Sequence, residues 1–475
     1  MTMVVGSFAK GCQVVVIGAG PGGYLAAIRL AQLKKDVILV EEAPTLGGIC
    51  LNEGCIPSKA LIHAADFLEE ARHAGKMGLG VDIQSVDMAK LVDWKDKVVQ
   101  KLTGGVKMLA TKNGAEVMHG RARFTNDRQI EVTSPDGVQT IQFEQAVIAT
   151  GSVPFPLPGF QVDGETVIGS KEALSLKSIP EKLVVIGGGY IGLELGSVYR
   201  KLGAEVDLVE FFPELLLQHD VEIRELLTKR VKDIGVRLFL GHRALGYEKG
   251  SPNKVRIQEA PSNRETVLDA DKILVSVGRV PSVDGLGLKE AGVEQDAKGF
   301  IKVDKRMQTN VPGIYAIGDV VGGPLLAHKA YREAKVAAEV IAGEPSAFDN
   351  IVIPAVIYTD PEIAWAGLSE NEARKEGYKV VTGTFPFRAS GRAMTLNATD
   401  GFVKTVADAE TKRILGVHII GADASEMISE AALAIEMGAF LDDLSQTIHP
   451  HPTLSEGLLE SVEAALGEAI HIMNK

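Results

Sequence analysis

QVVVIGAGPGG, residues 13–23, decides the fold. The apolar run Val14 to Ile17 ends at Gly18-x-Gly20-x-x-Gly23, residues 24–33 have helical composition, and a second apolar run, Val37 to Val40, closes on Glu41. Strand, glycine turn, helix, strand and terminal acid are the sequence form of a dinucleotide-binding βαβ unit. Gly18 permits the tight turn, Gly20 lets a pyrophosphate approach the backbone, and Gly23 lets helix and strand close, while the helix N-terminus favours the anion. Glu41 stands where a carboxylate accepts from a ribose hydroxyl. The same grammar returns in LVVIGGGYIG, residues 183–192: a strand, then Gly187-x-Gly189-x-x-Gly192 with Tyr190 and Ile191 inside it, a helix through Lys201, and VDLV before Glu210. An acid at Glu210 favours NAD, because the extra phosphate of NADP meets like charge there. Two such units imply two dinucleotides passing electrons, most economically one flavin and one nicotinamide.

Outward from these units, AVIATGS at 146–152 and KILVSVGR at 272–279 read as strands, and Pro154, Pro156 and Pro158 suggest a crossover that resists regular pairing. GIYAIGD at 313–319 precedes an Ala-rich helix over about 326–341. From residue 351 no glycine fingerprint recurs; IAWAGL, TGTFPF and GFVKTV read as strands before two helical stretches near 425–438 and 455–470. The expected fold class is therefore α/β, two Rossmann-like dinucleotide-binding domains with an α+β C-terminal module. Of the 475 residues, 45% are hydrophobic, and 50 Lys and Arg against 62 Asp and Glu give a net charge of −12. That balance offers no broad attraction to nucleic acid or to an anionic membrane. Three cysteines in such a length exclude a secreted disulfide framework. With no apolar run of spanning length and no signal-peptide pattern, a cytoplasmic enzyme is expected, and a mitochondrial matrix protein fits a processed chain.

The thiols have a chemical reading. Gly47-Gly48-Ile-Cys50-Leu-Asn-Glu-Gly-Cys55-Ile-Pro-Ser-Lys59 spaces its cysteines five apart, which is neither CxxC nor a zinc knuckle, and no further cysteine pair completes a metal site. Both lie where a helix begins just after a cofactor unit, and a helix N-terminus with Lys59 nearby favours a thiolate. A reversible disulfide against a flavin is the sharper reading; two buried apolar thiols is the plainer one. Cys12 reads as a buried strand-start thiol. Near the other end, His449-Pro450-His451-Pro-Thr-Leu-Ser-Glu456 offers an imidazole that exchanges a proton near neutral pH and a carboxylate close enough to orient it; structural histidines, or histidines of a metal site, are the alternatives.

GGICLNEGCIPSK at 47–59, GGGYIGLE at 187–194, YAIGD at 315–319 and HPHPTLSE at 449–456 together resemble the pyridine nucleotide-disulfide oxidoreductases, specifically their dihydrolipoyl-oxidising branch, from about Cys12 to the final helix. The resemblance implies a glutathione reductase-like architecture: residues 1–152 and 280–350 an FAD domain, 153–279 an NAD domain, 351–475 a dimer interface domain. It implies one non-covalent FAD per subunit with NAD as acceptor, Cys50 as the thiol that meets a dithiol substrate, and Cys55 as the thiol against the flavin. Lys59 matches the lysine near flavin N5, and Glu194 its paired acid. Gly48, Gly120, Thr150, Gly151, Asp319, Leu326 and Ala327 fall on the FAD side, Gly278 and Arg279 on the nicotinamide side. His451 matches the base, supplied across a homodimer interface, and Glu456 its partner; Pro450 departs from the commoner alanine between the histidines. Implied partners are lipoyl domains of 2-oxoacid dehydrogenase acyltransferases or the glycine-cleavage carrier. A glutathione reductase-like enzyme and a non-catalytic FAD-binding subunit are the alternatives, disfavoured by Glu210 and by the intact cysteine pair respectively. A mercuric reductase lacks support without a C-terminal cysteine pair, and a soluble transhydrogenase would lack Cys50 and Cys55.

Overall fold

The structure, a computed structural model, describes residues 10–474. Its first sheet is built on the strand Lys10–Ile17, four residues longer at its start than the apolar run announces. Val37–Glu41 and Gly137–Ile148 flank it in parallel, with Val14 opposite Val37 and Ile17 opposite Ile148. Val14, Val15 and Val16 are fully buried, as a strand covered on both faces requires. An antiparallel meander, Arg121–Asn126 and Gln129–Ser134, feeds Gly137–Ile148. Ile314–Ala316 then joins the far side of Gly137–Ile148 in parallel, so the chain that leaves this sheet after Ile148 comes back to it. The helices Pro21–Gln32 and Ala327–Ala342 pack together on one face through Ala26, Leu30, Ala334 and Ala338.

Between departure and return lies the second sheet, centred on Lys182–Ile186 with Glu205–Glu210 and Lys272–Val275 parallel on either side. A three-stranded antiparallel sheet, His242–Glu248, Asn253–Glu259 and Glu265–Ala270, covers it through Val255, Ile257 and Leu268. The expected crossover is a paired one: Ser152–Pro154 runs antiparallel to Arg279–Pro281, with Pro154 opposite Arg279. Proline is admitted because a two-stranded ribbon has only edges, where a missing N–H breaks no central ladder.

Helix Cys55–His73 of the first unit packs along Tyr190–Leu202 of the second, and Leu61, Ala65, Leu193 and Val198 share one core. Leu61 is fully buried there, which contributes about 1.5–3 kcal/mol for a leucine side chain. The C-terminal module is a five-stranded antiparallel sheet in the order Ala355–Ile357, Glu362–Gly367, Ile414–Gly421, Phe402–Asp408, Val380–Pro386. The two expected helices are Ala424–Glu436 and Glu456–Leu466, and they cover it. Among the described residues, no helix is long and apolar enough to cross a membrane.

Candidate functional site

Both glycine loops are built alike. Gly18 has φ +94° and a Cβ there would stand 2.5 Å from the Ala149 carbonyl oxygen; Gly187 has φ +106° and its Cβ would stand 2.6 Å from that of Ser276. A methyl group on Gly23 would enter the carbonyl of Gly18, and one on Gly192 the carbonyl of Gly187, so only glycine lets helix and strand close at these two positions. Gly20 and Gly189 precede the helices Pro21–Gln32 and Tyr190–Leu202, and no side chain caps either N-terminus or adds an acid to its first turn. Each helix therefore presents free N–H groups and a positive dipole end to an anion. The two acids are held identically. Glu41 accepts from Ala19 N–H at 2.6 Å and Ala43 N–H at 2.8 Å, and Glu210 from Gly188 N–H at 2.6 Å and Phe212 N–H at 2.8 Å.

The first loop opens into a cavity of about 710 Å³ lined by Gly18, Gly20, Glu41, Gly48, Cys50, Cys55, Lys59, Gly120, Thr150, Gly151, Asp319 and Ala327. Thr150 turns into it a buried hydroxyl that has no partner within the protein, and Gly48, at φ +55°, approaches Gly20 so closely that a Cβ would stand 2.5 Å from the Gly20 Cα. An anion cradle, an orphaned hydroxyl, a carboxylate at Glu41 and an ammonium at Lys59 suit the phosphates, polyol and ring of FAD. Leu326 is the N-cap residue of Ala327–Ala342, between Leu325 and Ala327 of the cavity wall. The Arg279 Nε donates to Ser152 Oγ at 2.8 Å and its Nη2 to the Ser152 carbonyl at 2.6 Å, and Ser152 Oγ in turn donates to Asp319 at 2.6 Å. Ribbon pairing sets Arg279 on the wall of the large cavity, where it acts electrostatically on Tyr190 of the second glycine loop. Tyr190 and Ile191 also line that cavity, so the second loop meets it at the start of its helix; Gly187, Gly189, Gly192, Glu210 and Gly278 lie outside its wall.

Cys55 is the first residue of the helix Cys55–His73, and Cys50 lies in the short helix Gly48–Glu53 before it. Both are free thiols. The hydrogen bond from Cys50 lowers the Cys55 thiol to about 7; burial opposes the shift and the Lys59 ammonium adds to it. The same bond, with burial, pushes Cys50 far up, so of the two it keeps the proton. Lys59 pairs with the buried carboxylate of Glu194 at 2.8 Å. Near Cys50, Tyr24 and Tyr331 join their hydroxyls at 3.1 Å, and burial raises both phenols. Neither tyrosine was legible as a site residue, since an aromatic at the start of an apolar helix reads as core.

His451 Nδ1–H donates to Glu456 Oε1 at 2.8 Å, and Glu456 Oε2 accepts from Thr453 N–H at 2.7 Å. Burial opposes ionisation of Glu456, yet the Thr453 N–H and His451 hold its carboxyl below the usual range. His449 is different: Nδ1 donates to the Thr447 carbonyl and Nε2 meets Glu430, both at 2.9 Å, which engages both nitrogens. The His451 side chain is 80% exposed, and the cavity that holds Cys50 and Cys55 is lined by residues no later than Ala330. The dyad and the thiols are thus not brought together within one chain.

Known proteins match along the whole chain. Residues 12–334 match the family model described as pyridine nucleotide-disulphide oxidoreductase, and 353–462 match the dimerisation domain of that family. Dihydrolipoyl dehydrogenases from Thermus scotoductus, Bacillus subtilis and Haloferax volcanii are 50%, 48% and 47% identical, with 98%, 99% and 100% of this chain and 100% of each relative covered. A crystal structure of LpdA from Mycobacterium tuberculosis superposes with a TM-score of 0.88 at 26% identity, over 95% of this chain and 99% of that one. An HOCl-induced flavoprotein disulfide reductase from Escherichia coli gives 0.84 at 28%, also over 95% and 99%. FAD and NAD(H) are the cofactors of this fold, and the C-terminal module makes the protein a homodimer. With two matched glycine loops, a thiol pair between them and a dimerisation domain behind, the chain belongs to the pyridine nucleotide-disulphide oxidoreductase family, on its dihydrolipoyl dehydrogenase branch.

Proposed function

We propose that the protein oxidises dihydrolipoyl groups carried on the lipoyl domains of 2-oxoacid dehydrogenase acyltransferases or on the glycine-cleavage carrier, and passes the electrons to NAD+. The observation that carries this reading is a pair of unequal thiols, Cys50 protonated and Cys55 acidified, beside Lys59 and Glu194 on the wall of the cavity that begins at Gly18 and Gly20. The identity of 47–50% to dihydrolipoyl dehydrogenases supports the substrate. Exposure of His451 outside the cavity supports a base that acts on the other subunit's thiols. We assign 1–152 with 280–350 to FAD binding, 153–279 to NAD binding and 351–475 to the dimer contact.

Bound FAD supplies the two-electron relay between the thiols and the nicotinamide. The protein's own part begins with the Cys50–Cys55 pair as a disulfide. The partner subunit's His451, its Nδ1–H fixed on Glu456, takes a proton from one substrate thiol at Nε2. That thiolate attacks Cys50 Sγ; the substrate–Cys50 bond forms, the Cys50–Cys55 bond breaks, and Cys55 leaves as a thiolate stabilised by Lys59. The second substrate thiol attacks the substrate sulfur of the mixed disulfide, which closes the lipoyl ring and breaks the bond to Cys50; Cys50 leaves with the proton His451 had taken, and His451 accepts the proton of the second substrate thiol. Substrate is oxidised by two electrons and the cysteine pair is reduced by two. The Gly18–Gly20 loop, Gly120, Gly151 and Asp319 orient one cofactor, and the Gly187–Gly189 loop with Glu210 orients the other.

Cys50→Ser and His451→Gln should lower dihydrolipoamide-to-NAD+ turnover on the order of 10²- to 10⁴-fold while leaving NADH oxidation by an artificial acceptor largely intact. Equal loss of both activities sinks the assignment. A glutathione reductase-like reading predicts NADP use; the Glu210 side chain, which accepts from the Gly188 N–H of the second glycine loop, disfavours a 2′-phosphate there.

A further inference from the structure

Lys59 does not depend on Glu194 alone. The connection after the strand Ala355–Ile357 in the C-terminal module crosses the paired helices of the first two units and touches the ion pair twice. The Tyr358 N–H donates to Glu194 Oε1 at 3.0 Å while Glu194 Oε2 accepts from Lys59, so both oxygens of the carboxylate are committed. The Tyr358 ring lies against the Lys59 ammonium, 4.3 Å from Nζ to the ring centroid. Two residues on, Asp360 Oδ2 accepts from Lys201 at 2.7 Å and from Arg230 at 2.8 Å, and Lys201 also pairs with Asp66 at 2.5 Å.

These contacts repeat along the helices. Lys59 and Asp66 are seven residues apart on Cys55–His73, and Glu194 and Lys201 seven apart on Tyr190–Leu202, so each pair shares one helix face. The charges are opposite in order, Lys59 to Glu194 and Asp66 to Lys201. A two-turn slip of one helix would set Lys59 against Lys201 or Asp66 against Glu194, which like-charge repulsion forbids. The register of the helix that begins at Cys55 is thus fixed by two ion pairs, and the segment 358–360 is fastened to both.

We infer that Tyr358 is a positioning residue for Lys59 and that Asp360 anchors the segment that carries it, so the dimerisation module holds the ammonium that stands beside the Cys55 sulfur. A lysine stem is flexible and its ammonium prefers water; a ring face and a fixed carboxylate confine it where a third of its side chain is still exposed. Groups that face Cys55 are Cys50, Lys59 and Glu194, and it also acts electrostatically on Tyr190 and Tyr331. Of these, Lys59 is the cation that favours its thiolate. Losing the ring lets that cation drift toward solvent and weakens the thiolate.

The inference rests on the reading of Cys55 as the flavin-side thiol. The FAD-loaded dimer, reduced with one equivalent of dithiol, is titrated with pH while the long-wavelength absorption that marks a thiolate against the flavin is followed. Tyr358→Leu should move the midpoint upward by about one pH unit, a tenfold change in the thiolate equilibrium. Tyr358→Phe, which keeps the ring and the backbone N–H, should restore the parent midpoint, and Asp360→Asn should shift it upward by less than Tyr358→Leu. A parent-like midpoint in Tyr358→Leu, or an equal shift in Tyr358→Phe, overturns the inference. Should Tyr358→Leu fail to yield a loaded dimer, a parent-like midpoint in Asp360→Asn overturns it instead. Absence of the band in the parent refutes the Cys55 reading and this inference with it, whereas a band indifferent to Tyr358 and Asp360 refutes the inference alone.

Discussion

The two βαβ units share a backbone and diverge beyond their second strands. Up to Glu41 and Glu210 the correspondence reaches single hydrogen bonds, with each carboxylate clamped by one N–H of its own glycine loop and one two residues ahead. Past that point the first unit continues into Gly47 and Gly48, folds back onto Gly20 and delivers Cys50 and Cys55 to the cavity wall. The second continues into Phe211 and Phe212, which are exposed and packed edge to face on each other, with Arg243 over Phe211. Duplicated scaffolding therefore accounts for holding two dinucleotides, and the segment after one acid accounts for the sulfur chemistry. Fold and site are separable in this protein down to the residue where they part.

The largest effect should come from breaking the shared part. Gly192→Ala forces a methyl into the Gly187 carbonyl and should cut NADH-dependent turnover on the order of 100-fold, while FAD content and dithiol reduction persist. Gly23→Ala should instead cost FAD itself, seen as loss of colour in the purified protein. If Gly192→Ala also sheds FAD, the units are not independent. Acid should act next, on the second unit's seat. His219 is buried there with its ring 4.4 Å from Trp365 of the C-terminal module, and burial first, then His418, pulls it from 6.5 to about 4. The unfolded chain therefore binds a proton that the folded one refuses, so this contribution is complete above pH 6.5 and lost as pH falls toward 4. The amount is about 3 kcal/mol, and His219→Leu should flatten that part of a pH-dependent denaturation curve. The smallest effect should be that of Glu210→Gln, about tenfold weaker NAD+ binding with narrowed discrimination against NADP+ and unaltered FAD content. Unchanged cofactor preference would show that the carboxylate only braces its loop.

Legibility in the sequence followed local physics. The parallel strands stood out because strands covered on both faces are continuous apolar runs, as in Val14 to Ile17 and Leu183 to Ile186. Two antiparallel strands of the first two units do not stand out: Arg121–Asn126 and Asn253–Glu259 alternate buried and exposed residues among many charges, and such short polar alternations merge with turns. Ile414–Gly421, buried at every position, does not read as a strand because RILGVHIIGA carries a glycine near each end, which reads as punctuation. In the site, motif residues close in sequence were readable, and His451 with Glu456 met as their spacing allowed. Contact between distant segments lay beyond the reach of spacing. Tyr331 against Tyr24, Arg279 against Ser152 and Tyr358 against Lys59 each join residues that only the folded chain brings together.

The ribbon of Ser152–Pro154 and Arg279–Pro281 has a kinetic consequence. Ile314–Ala316 finds its place beside Gly137–Ile148 only after the chain has travelled out through the second unit and back. Without the ribbon, pairing those strands would close one very long, floppy loop; with the second unit folded and its ends stapled side by side, the gap shrinks to a few strand widths. The first sheet should thus be last to finish although its opening strand is synthesised first. Refolding followed by an amide reporter at Ile314 should lag one at Val185, and substitutions that weaken the ribbon should lengthen that lag more than they lower equilibrium stability.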